Sequence, residues 1–157
     1  MKNVLLALCA SVLLVPVALT AQSNDPTAPI RQFIDGFNSG NVQSAMASYA
    51  AGNITIVDEF APHLWIGPHA AQDWASAYDK HAAATGVSDG KVTYGRATRE
   101  ETSGEFAYVV LPTKYLYKEH GRPLVEEGQI TAVLHKEGGA WKMRGWTWTG
   151  VKPHAPR

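Results

Sequence analysis

The chain has almost no cysteine: one thiol, Cys9, in 157 residues. Because Cys9 lies in an N-terminal segment read below as a signal peptide, the domain that follows is expected to hold no disulfide, no cysteine-bound metal and no thiol nucleophile. An excess of charge is missing too, with 14 Lys and Arg against 14 Asp and Glu. With no basic patch either, nucleic acid and anionic membrane are excluded as expected partners. There is no Gly-rich phosphate loop, no nucleophile elbow and no Cys/His arrangement. A metal site built from His63, His69 and Asp73 is a weak signal, because the five-residue gap between the histidines matches no standard ligand spacing, so no metal and no cofactor are expected.

Long apolar runs are also scarce, and past residue 21 none approaches the roughly 20 residues that a membrane span needs. The first 21 residues are different. Lys2 precedes an apolar stretch from Val4 to Val15, followed by Pro16 and the small-residue ending Ala18-Leu19-Thr20-Ala21. This is the pattern of a secretory signal peptide spanning 1–21, with an uncleaved anchor as the other reading. Cleavage would leave a periplasmic or secreted product that no longer touches the membrane, a single domain over 22–157.

Within that domain, Asp25-Pro26 opens a helix in which Ile30, Phe33, Ile34 and Phe37 recur at helical spacing, closed by Ser39-Gly40. A second helix runs from about Asn41 to Ala51-Gly52. A strand over 53–58 follows, then a short one from His63 to Ile66. Gly67-Pro68 introduces a third helix whose Ala70, Trp74, Ala77, Tyr78 and His81 share a face, ending at Thr85-Gly86. Long strands are expected over about 91–101, 105–118, 122–136 and 140–149.

A hairpin turn at His120-Gly121 pairs Tyr117 with Leu124, Tyr115 with Glu126 and Lys114 with Glu127. A turn at Gly138-Gly139 pairs Leu134 with Met143, Ala132 with Gly145, Ile130 with Thr147 and Gln129 with Trp148. One face then carries Val109, Leu111, Tyr115, Tyr117, Glu126 and Met143 and is the expected core. The other carries Tyr108, Val110, Pro112, Val133, Trp146 and Trp148, so much apolar surface that a homodimer is expected, with Tyr108, Val110, Trp146 and Trp148 at its interface. A slip of one residue at either turn would exchange the faces.

Strand alternation puts Asp58 in phase with the apolar Ile54 and Ile56. Either the carboxylate faces a cavity with its pKa raised by desolvation, which suits a general base, or it caps the turn that follows. His63, just beyond the strand, is the candidate acid or base partner. Trp65, Tyr78, Tyr115 and Tyr117 are candidates for the wall of an amphipathic pocket, and Glu126 is either a second cavity carboxylate or a rim residue near the open end of the sheet.

Helices followed by long antiparallel strands make an α+β domain: a cone-like curved antiparallel β-sheet with three N-terminal helices packed on its concave face. In the order and spacing of Phe33-Ile34-Asp35-Gly36-Phe37-Asn38-Ser39-Gly40-Asn41, Thr55-Ile56-Val57-Asp58, Gly67-Pro68-His69-Ala70 and Trp141-Lys142-Met143, the chain resembles the nuclear transport factor 2-like superfamily, which includes ketosteroid isomerases, scytalone dehydratase and the SnoaL-like cyclases. The resemblance implies that Asp58 stands where ketosteroid isomerases keep their proton-shuttling aspartate. The rest of that site departs from the pattern: Phe33 replaces the tyrosine of the oxyanion hole, and Thr131 or Ile130 replaces the protonated aspartate. The histidine pair of scytalone dehydratase has no counterpart. The expected function is an exported domain that binds a small, partly apolar molecule in a cavity. The alternatives are a cofactor-independent isomerase, dehydratase or cyclase with Asp58 as base, and a protein-interaction domain using the outer sheet face.

Overall fold

The computed structural model describes residues 24–157. The signal-peptide reading of 1–21, Cys9 included, lies outside the described residues. Helix α1 (Ala28–Ser39) starts at Thr27, two residues later than the sequence suggests, because Asp25 folds back to accept hydrogen bonds from the Thr27 amide and hydroxyl, at 2.8 and 2.6 Å. It ends at Gly40 in the left-handed conformation that glycine adopts without strain. Helix α2 (Val42–Met46) is a single turn, shorter than expected, capped by the Asn41 side chain accepting from the Ser44 amide at 3.0 Å.

Strands β1 (Ile54–Val57) and β2 (Leu64–Gly67) form a short antiparallel pair, and α3 (Ala70–Thr85) follows. The single strand expected over 91–101 is two, β3 (Val87–Tyr94) and β4 (Arg99–Ser103), which pair with successive halves of one edge of β5 (Phe106–Glu119). β6 (Arg122–Glu137) and β7 (Ala140–Gly150) complete a seven-stranded sheet ordered β2-β1-β7-β6-β5-β3. β1 runs parallel to β7, pairing Ile56 with Trp146, so the sheet is mixed rather than purely antiparallel.

The β5–β6 hairpin has the expected register, Tyr117 opposite Leu124 and Tyr115 opposite Glu126. His120 and Gly121 both take positive φ, 48° and 79°, as a two-residue turn between twisted strands requires. The β6–β7 register begins as expected, with Leu134 opposite Met143, and then changes. Val133 faces Gly145, Ala132 faces Trp146 and Ile130 faces Trp148, leaving Arg144 as an extra residue on β7. Such a bulge reverses the face of every residue beyond it.

The expectation for Trp146 and Trp148 is therefore corrected: neither lies on the outer face or in an interface there. Trp146 is 6% exposed inside the core cluster, and Trp148 packs against that cluster. Of the other two residues expected at an interface, Val110 is buried and Tyr108 is partly exposed on the outer face.

The bulge is built from both of its residues. Arg144 turns outward and donates to the carbonyls of Ala51 and Asn53 at 2.8 and 3.0 Å, fixing the chain that leads into β1. At Gly145 a Cβ would stand 2.7 Å from the Thr55 carbonyl oxygen, so only glycine lets β1 approach this closely. On the other side of the cone, the Asn38 amide of α1 binds both the N–H and the C=O of Val92, at 2.8 and 2.7 Å, clamping the helix to β3. The concave face holds the core, with Ile30, Ile34, Ile56, Val109, Leu111, Leu134 and Met143 all but fully buried.

Candidate functional site

Between the helices and the concave face lies a cavity of about 340 Å³, within the range of small-molecule sites. Rings make most of its wall. Phe33 lies edge-on to Trp74 with centroids 5.6 Å apart, and Trp146 sits 5.4 Å from Phe33 and 5.3 Å from Trp74. Phe37, Phe60 and Tyr78 continue the surface toward α3, where His81 stacks on Phe60 at 5.2 Å. Helical spacing puts Trp74, Tyr78 and His81 on one face of α3, and the same face closes the cavity.

Asp58 lines this cavity, as the phase of β1 indicates. Its carboxylate is held on both oxygens: the Glu59 amide donates to Oδ1 at 2.8 Å and the Trp74 indole N–H donates to Oδ2 at 2.8 Å. Both bonds favour the charged form, but burial outweighs them and lifts the pKa above its ordinary value; the nearby Glu126 adds to the rise and His81 opposes it. Among the described residues no Lys or Arg forms an ion pair with Asp58.

Glu59 is a site residue that sequence reasoning missed. It lines the cavity beside Asp58, and burial together with the influence of the Glu126 carboxyl pushes its pKa up to about 8. Glu59 is exposed at the mouth, so water screens part of that effect. Glu126 is 1% exposed and sits behind the wall, accepting from the Trp148 indole N–H at 3.2 Å.

Polar handles come from the tyrosines. The hydroxyls of Tyr78 and Tyr115 are 2.6 Å apart, and the Tyr115 ring stacks on Tyr117 at 4.6 Å. Burial raises the pKa of both members of the Tyr78–Tyr115 pair, and burial with the charge of Glu126 pushes Tyr117 up to about 12. All three therefore stay protonated donors near neutral pH. Tyr49, behind Trp146, accepts the Trp146 indole N–H at 2.8 Å.

Thus the structure gathers Asp58, Tyr78, Tyr115 and Tyr117 around one cavity, with Glu126 just behind it. It does not bring His63 or Trp65 there. His63 is exposed in the turn after β1 at φ 72°, and its Nδ1 lies 3.2 Å from the Asp58 backbone oxygen rather than at the carboxylate. Trp65 faces the core and packs on Phe60 at 5.1 Å.

Besides Glu59, the missed wall residues include Trp74, His81, Trp146 and Trp148. The first two share the α3 face already visible as a periodicity. The other two were hidden by the bulge, whose sequence trace is the change of phase in Trp141-x-Met143-x-x-Trp146-x-Trp148 across Gly145. Among the described residues no three His, Asp or Glu side chains are placed to hold a metal ion.

Neither a family model nor a curated protein sequence matches the chain. Solved structures do. A ketosteroid isomerase-like protein from Erwinia carotovora atroseptica superposes with a TM-score of 0.61 at 18% identity, over 80% of this chain and 93% of that one. A type 2 LinA hexachlorocyclohexane dehydrochlorinase gives 0.68 at 12% identity, over 83% and 88%. A candidate scytalone dehydratase from Novosphingobium aromaticivorans gives 0.62 at 10%, over 83% and 84%. This chain has the nuclear transport factor 2-like fold.

Proposed function

We propose that the cavity binds a small, partly apolar molecule and that Asp58 takes a proton from it, making the protein a cofactor-independent isomerase or lyase. The observation that carries this reading is the Asp58 carboxylate: it faces an aromatic cavity, its pKa is raised by burial, and the Trp74 indole fixes its orientation. A base with an elevated pKa accepts a proton more readily. In the Tyr78–Tyr115 pair one hydroxyl donates to the other, which leaves a single O–H as donor for an oxygen of the ligand, and the rings supply the apolar contact. Phe33 offers no hydrogen bond, so the donor arrangement differs from that implied by the ketosteroid isomerase resemblance. The relatives in fold named above include an isomerase-like protein, a dehydratase candidate and a dehydrochlorinase, which agrees with proton abstraction as a reaction class but does not name a substrate.

Native mass spectrometry of the purified protein tests binding: a co-purifying compound of a few hundred daltons is expected, and it should be lost on narrowing the cavity with Ile130→Trp. Protein that carries nothing and takes up nothing from a panel of small ketones would contradict the proposal.

Export and self-association belong to the same proposal. N-terminal sequencing of periplasmic protein should begin near Gln22, and full-length chain retained in the cytoplasm would refute export. The outer face keeps Tyr108 and Val133 at 37% and 43% exposed, and a second copy is the partner we propose for it. Sedimentation should show a dimer that Val133→Glu converts to monomer; a monomeric wild type refutes it.

A further inference from the structure

The charge on the cavity wall is one-sided. Asp58, Glu59 and Glu119 stand on it, and Glu126, 1% exposed, lies behind Trp148, whose indole N–H it accepts. No Lys or Arg lines the cavity, and among the described residues no ion pair reaches any of these four carboxyls. Of the wall side chains only His81 can carry a positive charge, and its ring is stacked on Phe60. Chain order and strand alternation set this arrangement: Asp58 and Glu59 are neighbours at the end of β1, and Tyr115, Tyr117 and Glu119 follow one another on one face of β5.

Around the carboxyls the wall is made of rings. The face of an aromatic ring attracts positive charge, an indole most strongly. Trp74 lines the cavity and holds Asp58 Oδ2 at 2.8 Å, so the ring best suited to a cation stands beside a half-buried carboxylate. Tyr78 stacks on Trp74 at 5.9 Å, and Phe60 lies 6.2 Å from Trp74 and 6.0 Å from Tyr78. A neutral apolar ligand would gain from these rings, but it would strip water from the carboxylates and return nothing to them. An anion would be repelled. A cation gains from both the rings and the carboxylates. Among the described residues no three His, Asp or Glu side chains are placed to hold a metal ion, so the cation that fits is an organic one.

We propose that the cavity binds an organic cation, an ammonium group carried on a small apolar body, with the charge set between Asp58 and Glu59 and the rings of Trp74, Tyr78 and Phe60. This inference rests on the reading of the cavity as the ligand site and adds the charge of the ligand. Glu119 and Glu59, nearer to solvent, draw the cation toward the mouth. Burial first, and neighbouring carboxylates after it, raise the pKa of Asp58 and Glu59; a cation beside them acts in the opposite direction. Its arrival therefore favours the ionised Asp58 that proton acceptance requires.

Phenyltrimethylammonium and tert-butylbenzene test the charge by itself, because they have nearly the same shape and differ in holding nitrogen or carbon at the branch. Their binding to the purified protein is followed by the NMR shifts of the Asp58 carboxyl carbon and the Trp74 indole nitrogen, at concentrations below the solubility limit of the hydrocarbon. The cation should bind on the order of tenfold more tightly. Glu59→Gln and Glu119→Gln, both toward solvent, should each weaken the cation by a few-fold and leave the hydrocarbon unchanged. Ile130→Trp, which narrows the cavity, should weaken both compounds. Equal affinity for the two, or tighter binding of the hydrocarbon, would overturn the inference and leave the cavity standing as a ligand site. Binding of neither would overturn both readings. A preference for the cation that survives Ile130→Trp and both Gln variants would put the charge site elsewhere and overturn the inference as well.

Discussion

Replacing Trp146 with alanine tests whether the bulge at Arg144 turns the end of β7 into the core. Trp146 is 6% exposed, packs within 5.4 Å of both Phe33 and Trp74, and donates its indole N–H to the Tyr49 hydroxyl. Truncating a core tryptophan to alanine costs about 3–5 kcal/mol, since the cavity left behind closes only in part. For a domain of this size each kcal/mol moves the melting temperature by roughly 3–4 °C, so the expected drop is roughly 10–20 °C. Thr147 is the control, because an unbulged register would put it in the core and Trp146 outside. Thr147→Ala should change stability by less than about 1 kcal/mol. Urea unfolding followed by far-ultraviolet circular dichroism measures both, with the midpoint shifting and the slope unchanged. Near-wild-type stability of Trp146→Ala, or a larger loss for Thr147→Ala, would refute the register and with it the aromatic wall.

Gly145→Ala should also destabilise, by roughly 1–3 kcal/mol, because its Cβ would meet the Thr55 carbonyl oxygen at 2.7 Å and neither backbone can yield without breaking the β1–β7 pairing; thermal unfolding checks it, and an unchanged melting temperature would contradict the close approach. The Glu59 carboxyl has a folded pKa of about 8 against an ordinary 4.5, so its stabilising contribution is complete below about pH 4.5 and is lost as the pH rises through about 8. Wild type should therefore be less stable at pH 9 than at pH 5, with a smaller difference in Glu126→Gln; parallel pH profiles of the two proteins would show that the carboxyls do not interact.

Much of the architecture was legible because local signals agree with the tertiary structure. The phase of Ile54, Ile56 and Asp58, the face formed by Ala70, Trp74, Tyr78 and His81, and the positive-φ turn at His120-Gly121 each follow from a periodicity or a turn requirement. Helix α2 came out too long because Ala-rich sequence favours helix, whereas the chain at Ser48 to Ala50 instead bonds to Met143 of β7. The β6–β7 register failed beyond Val133 because pairing was counted outward from the turn, and an inserted residue reverses every later face. Glu59 was invisible for a different reason: it lies in the turn after β1, where no periodicity says which way a side chain points, and Glu126, whose charge acts on it, is distant in sequence. His63 was favoured by proximity to Asp58 in sequence, but the turn directs it to the Asp58 backbone and to solvent.

The central claim is that Asp58 is a base buried in a ligand cavity. Its most direct measurement is the titration of the Asp58 carboxyl carbon in the folded domain, compared with Trp74→Phe, which removes the indole donor from Oδ2. The account predicts a midpoint above the ordinary value of about 3.9, raised further in Trp74→Phe because that hydrogen bond favours the charged form. A midpoint at or below about 3.9 that does not respond to Trp74→Phe would contradict it, and Asp58 would then be a cap for the turn that follows β1.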